Sequence, residues 1–281
     1  MVHPPVAAQL YTERTPRVVA ARKLHRRAER AATGRFLVEG AQAVREAPSV
    51  HELFVTEKAA ARHPELVAAA ARVSHLTERA AAALSETVTP QGIFAVCDTV
   101  DVPLRTALAG KPRLVAVLVD VSDPGNAGTV IRVADAAGAD AVLLAGDAVD
   151  PHNGKCVRAS AGSLFHLPIA VHRDRTEAIA AVRDAGLRVL AATTSGRMDL
   201  DEAAHAGVLA GPTAWLFGSE AHGLDAATVA QSDDTVRVPI YGRAESLNLA
   251  TAAAVCLYAG ARAARHALPA AMRSSVGQAD E

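Results

Sequence analysis

The chain has 281 residues and a formal net charge of −1; half of its residues are hydrophobic and 3% are aromatic. That length holds one large or two ordinary domains with a sizeable core, and so few aromatics argue against an aromatic-lined ligand cavity. Cys97, Cys156 and Cys256 are far apart, with no C-x-x-C or His/Cys ligand spacing, which argues against a disulfide framework and a zinc site. Residues 1–12 lack the charged and apolar regions of a signal peptide, and charges interrupt every alanine-rich run. The expectation is a soluble cytoplasmic protein that holds no metal.

In chain order, PRVVAARKLHRRAERAA (16–32) reads as one basic helix; from Arg14 to Arg35 there are eight basic residues and one acid, Glu29. RFLVEG (35–40) reads as a strand, with a helix from Ala41. VHELFVTE (50–57) is a second strand, a helix covers roughly 58–72, and VSHLT (73–77) follows. ERAAAALSE (78–86) reads as a helix and GIFAVCD (92–98) as a strand. This predicts a small α/β domain over 1–105, with a linker over 106–113 inside the proline- and glycine-bearing DVPLRTALAGKPR. From 114 to 268 the pattern alternates. Strands are predicted at 114–120, 141–146, 167–172, 187–192, 213–218 and 235–239, with helices between them and a long one from about 246 to 266. Alternating β and α predict a parallel, doubly wound sheet. The polar tail, 269–281, is expected to be flexible.

The stretch RLVAVLVDVSDPGNAGTVIRVADAAGAD (113–140) reads strand, tight turn, helix, with the helical pattern starting near Ala127. Dinucleotide-binding folds begin this way, but Gly125, Gly128 and Gly138 do not make G-x-G-x-x-G, and Arg132 lies in the helix. In open parallel sheets ligands bind at the carboxyl ends of strands. Polar clusters fall at three such ends: DPGNAGTVIR after 114–120, FGSEAHGL (217–224) after 213–218, and PIYGRAESLN (239–248) after 235–239. Each also has a plain structural reading. Asn126 and Gly128 can cap and open a helix. Arg132, four residues after Gly128 and on its face, is either a solvated charge or a group reaching back over the turn toward an anion. Gly218 and Gly223 can be turn glycines, Glu220 a carboxylate in the first turn of a helix, Ser246 an N-cap and Asn248 incidental.

Taken together, Asn126-x-Gly128-x-x-x-Arg132, Phe217-Gly218-Ser-Glu220-x-x-Gly223-Leu224, and Val238-Pro239-Ile240 with Ser246-Leu247-Asn248 resemble the three ordered signatures of the SpoU/TrmH branch of the SPOUT RNA methyltransferases. NGKCVRASAGSL (153–164) resembles that family's Asn-x-Lys-x-x-Arg-x-Ser-x-Gly segment, and the N-terminal unit its small L30e-like substrate-binding domain. The resemblance covers nearly the whole chain. It implies S-adenosylmethionine as methyl donor, a ribose 2′-hydroxyl of RNA as acceptor, a deep trefoil knot in the parallel-sheet domain, and a homodimer. It also implies cofactor contacts, largely through main chain, at Leu216, Gly218, Val238, Ile240 and Leu247, and a catalytic group of Asn126, Arg132, Glu220, Ser246 and Asn248.

Arg132 is the family's candidate for activating the hydroxyl, but a guanidinium with a pKa above 12 is a poor base. Clamping a phosphate, orienting the ribose and stabilising a developing alkoxide suit it better. Asn126 is read as fixing the ribose or the arginine, Glu220 as orienting Arg132 or another nearby donor, and Ser246 and Asn248 as holding the hydroxyl or passing its proton on. Arg22, Lys23, Arg26, Arg27 and Arg30 on the basic helix, with Lys155 and Arg158 beside the cleft, are the expected RNA contacts. An attached N-terminal substrate domain resembles the layout of the family's ribosomal members, and that resemblance implies 23S ribosomal RNA over transfer RNA. Two rivals remain at this stage. A nucleotide-dependent oxidoreductase lacks its glycine fingerprint here, and a non-catalytic RNA-binding protein would have little need of the intact polar residues.

Overall fold

The computed structural model describes residues 10–267, so the tail expected to be flexible lies outside the described residues. They form two compact units: one of residues up to Val100 together with Asp150–Phe165, the other of Asp101–Val149 and the chain from His166 onward.

The first unit begins with two helices where one was expected, α1 (Pro16–Lys23) and α2 (Arg27–Thr33). The break at 24–26 lets Leu24 sink into the core beside Val18 and Ala21 and brings the His25 ring 2.9 Å from the Leu84 carbonyl. It also turns Arg30 inward. Its Nη1 donates to the carbonyls of Leu24 and His25 at 2.9 and 2.8 Å, the C-terminal groups that a broken helix leaves open. Its Nε and Nη2 donate to Asp150 Oδ2 at 2.8 and 2.6 Å. Arg30 is 4% exposed, which corrects its assignment as an RNA contact, because the guanidinium is committed inside the unit. Arg22, Lys23, Arg26 and Arg27 remain exposed.

Burial pushes the Asp150 carboxyl up, but hydrogen bonds from the His152 ring and backbone and from Arg30 outweigh it and hold the group well below the usual carboxylate range. A depressed folded pKa stabilises fully above the unfolded value, about 4, and that stability is lost as pH falls through the folded value. Arg30→Ala leaves a largely buried carboxylate without its cation. It is expected to cost about 3 kcal/mol at neutral pH, with the deficit narrowing as pH falls below about 4. Urea unfolding of both proteins at neutral and acid pH measures this.

The unit continues with β1 (Arg35–Glu39), α3 (Ala41–Glu46), β2 (Val50–Thr56), α4 (Glu57–Arg62), α5 (Pro64–Ala69), β3 (Val73–Leu76), α6 (Glu78–Leu84) and β4 (Ile93–Asp98). Pro64 divides the helix expected over 58–72, since proline starts helices and breaks their interior. The sheet order is β1-β4-β2-β3, with β4 antiparallel to both neighbours and β3 parallel to β2.

The second unit takes α7 (Leu104–Ala107), which stands partly in the expected linker, then β5 (Leu114–Val119), α8 (Pro124–Ala137) and β6 (Ala141–Ala145). The chain then gives α9 (Gly154–Ser160) to the first unit, although 114–268 reads as one domain in the sequence. On α9, Lys155 is exposed. Arg158 Nη1 instead lies 3.2 Å from the buried Glu39 and 3.6 Å from Glu86. Arg158 is therefore an ion-pair partner within the first unit and not an open phosphate contact.

The second unit resumes with β7 (Ile169–His172), α10 (Arg175–Asp184), β8 (Arg188–Ala192), β9 (Met198–Asp199), α11 (Leu200–His205), β10 (Thr213–Phe217), α12 (Ala226–Val229), β11 (Asp234–Arg237) and α13 (Leu249–Ala267). Its seven strands run in the order β7-β6-β5-β10-β8-β11-β9, every paired neighbour parallel. LVAVLV, AVLLA and TAWLF are buried along their whole length, as a sheet covered on both faces requires. Only the two-residue β9 escaped the sequence reading. Parallel strands put all their carboxyl ends on one edge, and the turns after β5, β8, β10 and β11 meet there.

Candidate active site

After β5 the chain turns through Asp120, a non-glycine residue at φ 53°. Asp123 then caps α8, its carboxylate accepting the Asn126 N–H at 2.8 Å with Pro124 in the first turn. The helix starts three residues before the apolar pattern at Ala127, so Asn126 lies within it and Asp123 takes the capping role. Asn126 Nδ2 donates to Glu220 Oε1 at 3.0 Å, and its Oδ1 accepts from Asn248 Nδ2 at 3.1 Å. Asn248 is the residue that caps α13: its Oδ1 accepts the N–H groups of Ala250 and Thr251 at 2.9 and 3.3 Å. Ser246 is exposed and lies before the cap.

The direction of this chain of bonds is settled by chemistry. A carboxylate only accepts and backbone N–H groups only donate, so both asparagine amides have one orientation that satisfies the network. Glu220 also accepts from the N–H groups of Ser122 and Asp123 at 3.4 and 3.3 Å. It stands in a tight turn closed by Ser219 and Gly223, not in a helix, and Gly223 has φ 66°. Its partners are therefore the α8 entry and Asn126, with no bond to Arg132. Arg132 is exposed on α8 and, among the described residues, has no hydrogen-bond or ion-pair partner.

A cleft of about 1110 Å³ opens among the strand-end turns. Gly218, Val238, Ile240, Leu247, Glu220, Ser246 and Asn248 line it, whereas Arg132 and Asn126 do not. Leu216 also does not: its side chain is fully buried in the core between β5 and β8. The contact expected of Leu216 is through its main chain, which burial of the side chain leaves open; the side chain of Phe217, next to it, lines the cleft. A Cβ on Gly218 would strike the backbone of Gly223 and Leu224, so only glycine allows these two arms of the turn to touch.

Two features escaped the sequence reading. Thr193, Thr194 and Ser195, after β8, line the cleft. The strand-end rule applied to ATTSGR would have found them. The other is an ion network in which Arg175 Nη1 meets Asp120 Oδ2 at 2.8 Å and Nη2 meets Asp225 Oδ2 at 2.6 Å. Asp225 caps α12 directly after the Gly218–Leu224 turn, so Arg175 ties that turn to the end of β5. The Asp120 hydrogen bond raises the Arg175 pKa further. Nothing local marks these three residues, which lie 50 or more positions apart along each contact. Burial pushes the Cys97 and Cys256 thiols up to about 12, which leaves neither as a nucleophile. Among the described residues no group of His, Cys, Asp and Glu is placed to hold a metal.

The chain resembles known proteins along both units. The SpoU rRNA Methylase family model matches residues 113–258, and the MRM3-like substrate binding domain model matches 15–95. The 23S rRNA (guanosine(2553)-2′-O)-methyltransferase RlmP of Bacillus subtilis is 37% identical over 254 residues, which cover 89% of this chain and 98% of that protein. Among solved structures, the AdoMet-bound rRNA methyltransferase from Sinorhizobium meliloti is 30% identical with a TM-score of 0.78, covering 93% of this chain and 99% of that one. The SpoU methyltransferase AviRb from Streptomyces viridochromogenes in complex with AdoMet is 30% identical with a TM-score of 0.75, covering 88% and 98%.

Proposed function

The chain belongs to the SpoU rRNA methylase family, and we propose that it transfers the methyl group of S-adenosylmethionine to one ribose 2′-hydroxyl of 23S ribosomal RNA. The observation that carries this reading is the bond from Asn248 to Asn126 to Glu220, which joins all three signature turns at the mouth of one cleft. The cleft fits such a cofactor. Its glycine-tight turn admits backbone to a flat ring, and its volume slightly exceeds the roughly 300–1,000 Å³ of ordinary small-molecule pockets, leaving room for an acceptor.

When bound, the cofactor supplies a methyl group on a sulfonium that leaves as a neutral thioether. The protein's part is to hold the acceptor in line and favour loss of its proton. Leu216, Gly218, Val238, Ile240 and Leu247 would hold the cofactor, largely through main chain. Asn126, fixed between Glu220 and Asn248, orients the ribose. Arg132 would meet the phosphate and the developing alkoxide with its guanidinium fork. Ser246 would hold the hydroxyl, a role supported by its exposure at the cleft.

Three further expectations belong to this proposal. A homodimer is supported by Val255 and Tyr258 on α13, 38% and 46% exposed, which a second copy would cover. A trefoil knot is supported by the last segment, which leaves β11 near one sheet edge and returns α13 against α8, β5 and β10. A cytoplasmic location is supported by the proposed action on ribosomal RNA; separately, among the described residues no helix is long and apolar enough to cross a membrane.

The test is transfer of labelled methyl from S-adenosylmethionine to total RNA from a strain lacking the gene. Alkali-resistant label confined to 23S RNA is expected, and the guanosine for which the Bacillus relative is named is the first nucleotide to map. Label in small RNA would move the substrate to transfer RNA, and cofactor binding without label in any RNA or ribosomal particle would overturn the enzymatic reading. Within the site, Asn248→Asp keeps the α13 cap and turns a donor into an acceptor facing Asn126 Oδ1. The expected result is a loss of stability of about 1 kcal/mol, the worth of one hydrogen bond, with about tenfold slower transfer. Asn248→Ala should also lose about 1 kcal/mol of stability with the cap.

A further inference from the structure

A second cleft, of about 730 Å³, lies wholly within the first unit, between α1 and the sheet. Its floor is apolar: Ala21 of α1, Leu24 in the break after it, Phe54 of β2 and Val96 of β4, all at most 8% exposed. Its rim is basic. Arg17, Arg35, Arg72 and His51 line it against one carboxylate, Glu52. Glu52 is engaged, accepting from Ser74 Oγ at 2.6 Å and from Arg17 Nη1 at 3.3 Å. His51 is engaged with Asp98 at 2.6 Å. Arg35 and Arg72 are different: both are exposed, and among the described residues neither guanidinium makes a hydrogen bond or a close ion pair, although Arg35 stands across the β1–β4 pair from Asp98 and feels its charge.

An apolar floor beneath two open guanidinium groups selects a ligand that is flat and apolar at one end and anionic at the other. A nucleotide answers that description. Its base can leave water against aliphatic and aromatic carbon, and its phosphate can take bidentate bonds from arginine. A stacked duplex offers phosphates without a free base, so the floor would be wasted on it. We propose that this cleft receives one unpaired nucleotide of the RNA substrate, with the base over Leu24, Phe54 and Val96 and adjoining phosphates on Arg35 and Arg72. The proposal rests on RNA being the substrate. It gives the first unit a single-strand anchor that the basic stripe on α1 and α2, which is sequence- and strand-indifferent, does not supply.

The test reads RNA binding without turnover. A labelled single-stranded RNA oligomer and its duplex are titrated with the full chain by fluorescence anisotropy over a salt series. The wild-type chain should bind the single strand more tightly. The double variant Arg35→Glu, Arg72→Glu should bind it at least tenfold more weakly, with the slope of log affinity against log salt reduced by about 1.4, the share of two single-strand phosphates. Ala20→Glu, at an exposed position of α1 on the same cleft, places a carboxylate there without removing either arginine and should weaken binding in the same direction. Retained cofactor affinity and melting temperature verify folding in both variants. Single-strand affinity and salt slope equal to wild type in both variants would overturn the cleft, even if the chain methylates RNA normally. Arginine-dependent RNA binding with no methyl transfer would support the cleft and overturn the enzymatic reading alone. No RNA binding by the wild-type chain would overturn both.

Discussion

Arg132→Ala is expected to slow methyl transfer to ribosomal RNA by about a thousandfold while leaving cofactor affinity within about threefold of wild type. The size is that of removing one preorganised charge aimed at a developing oxyanion, about 10²–10³ in rate. The split follows from position. Arg132 is exposed on α8, is not part of the wall of the larger cleft, and has no partner among the described residues that its loss would strand. Its removal should therefore cost little stability. Single-turnover transfer measured beside calorimetric titration of S-adenosylmethionine separates the two effects. Near-normal turnover would show that the alkoxide is stabilised elsewhere, and a parallel loss of cofactor affinity would give Arg132 a binding role. Arg132→Lys should recover only part of the rate, because a point charge does not reproduce the fork that holds phosphate and ribose together.

Gly218→Ala is expected to weaken S-adenosylmethionine binding by about a hundredfold, roughly 2.7 kcal/mol, within the cost of forcing one extra carbon into a packed site. The added Cβ meets the backbone of Gly223 and Leu224, which cannot rotate away as a side chain would. The turn must open, and its lining of the cleft moves with it. Gly223→Ala is the control. A Cβ there meets nothing within 4 Å, and the only penalty is its left-handed φ of 66°, about 1 kcal/mol. Calorimetric titration of both variants tests the ranking. Equal losses at the two positions would mean that backbone conformation, and not the close approach of the two arms, governs the site.

Much of the fold was legible because parallel sheets announce themselves. Strands buried on both faces must be apolar along their whole length, and LVAVLV, AVLLA and TAWLF are short apolar runs of that kind bounded by turn residues. Once the strands are placed, their carboxyl ends follow, and three of the four turns that meet there were found by their polarity. The fourth, Thr193 to Ser195, was missed for want of applying the same rule. Helix ends were harder. The starts of α8 and α13 depend on which of several polar residues turns its oxygen to the backbone, and Asp123 and Asn248 do so where Asn126 and Ser246 also qualified by type.

By itself, then, the sequence determined the alternation of elements, the parallel sheet, the identity of the turns and the residue types in them, since each depends on local periodicity or on a short motif. The tertiary structure alone decided which of those residues meet. Asn126 reaches Glu220 across 94 positions and Asn248 across 122, and no spacing rule links groups joined only by the stacking of strands. It also decided the fate of the charges. A three-residue break between α1 and α2 rotates Arg30 from the basic stripe into the interior, and α9 carries Arg158 to Glu39. A cation reads the same in sequence whether it faces water, phosphate or a buried carboxylate; only the packing around it, which sets the cost of leaving it unpaired, selects among them.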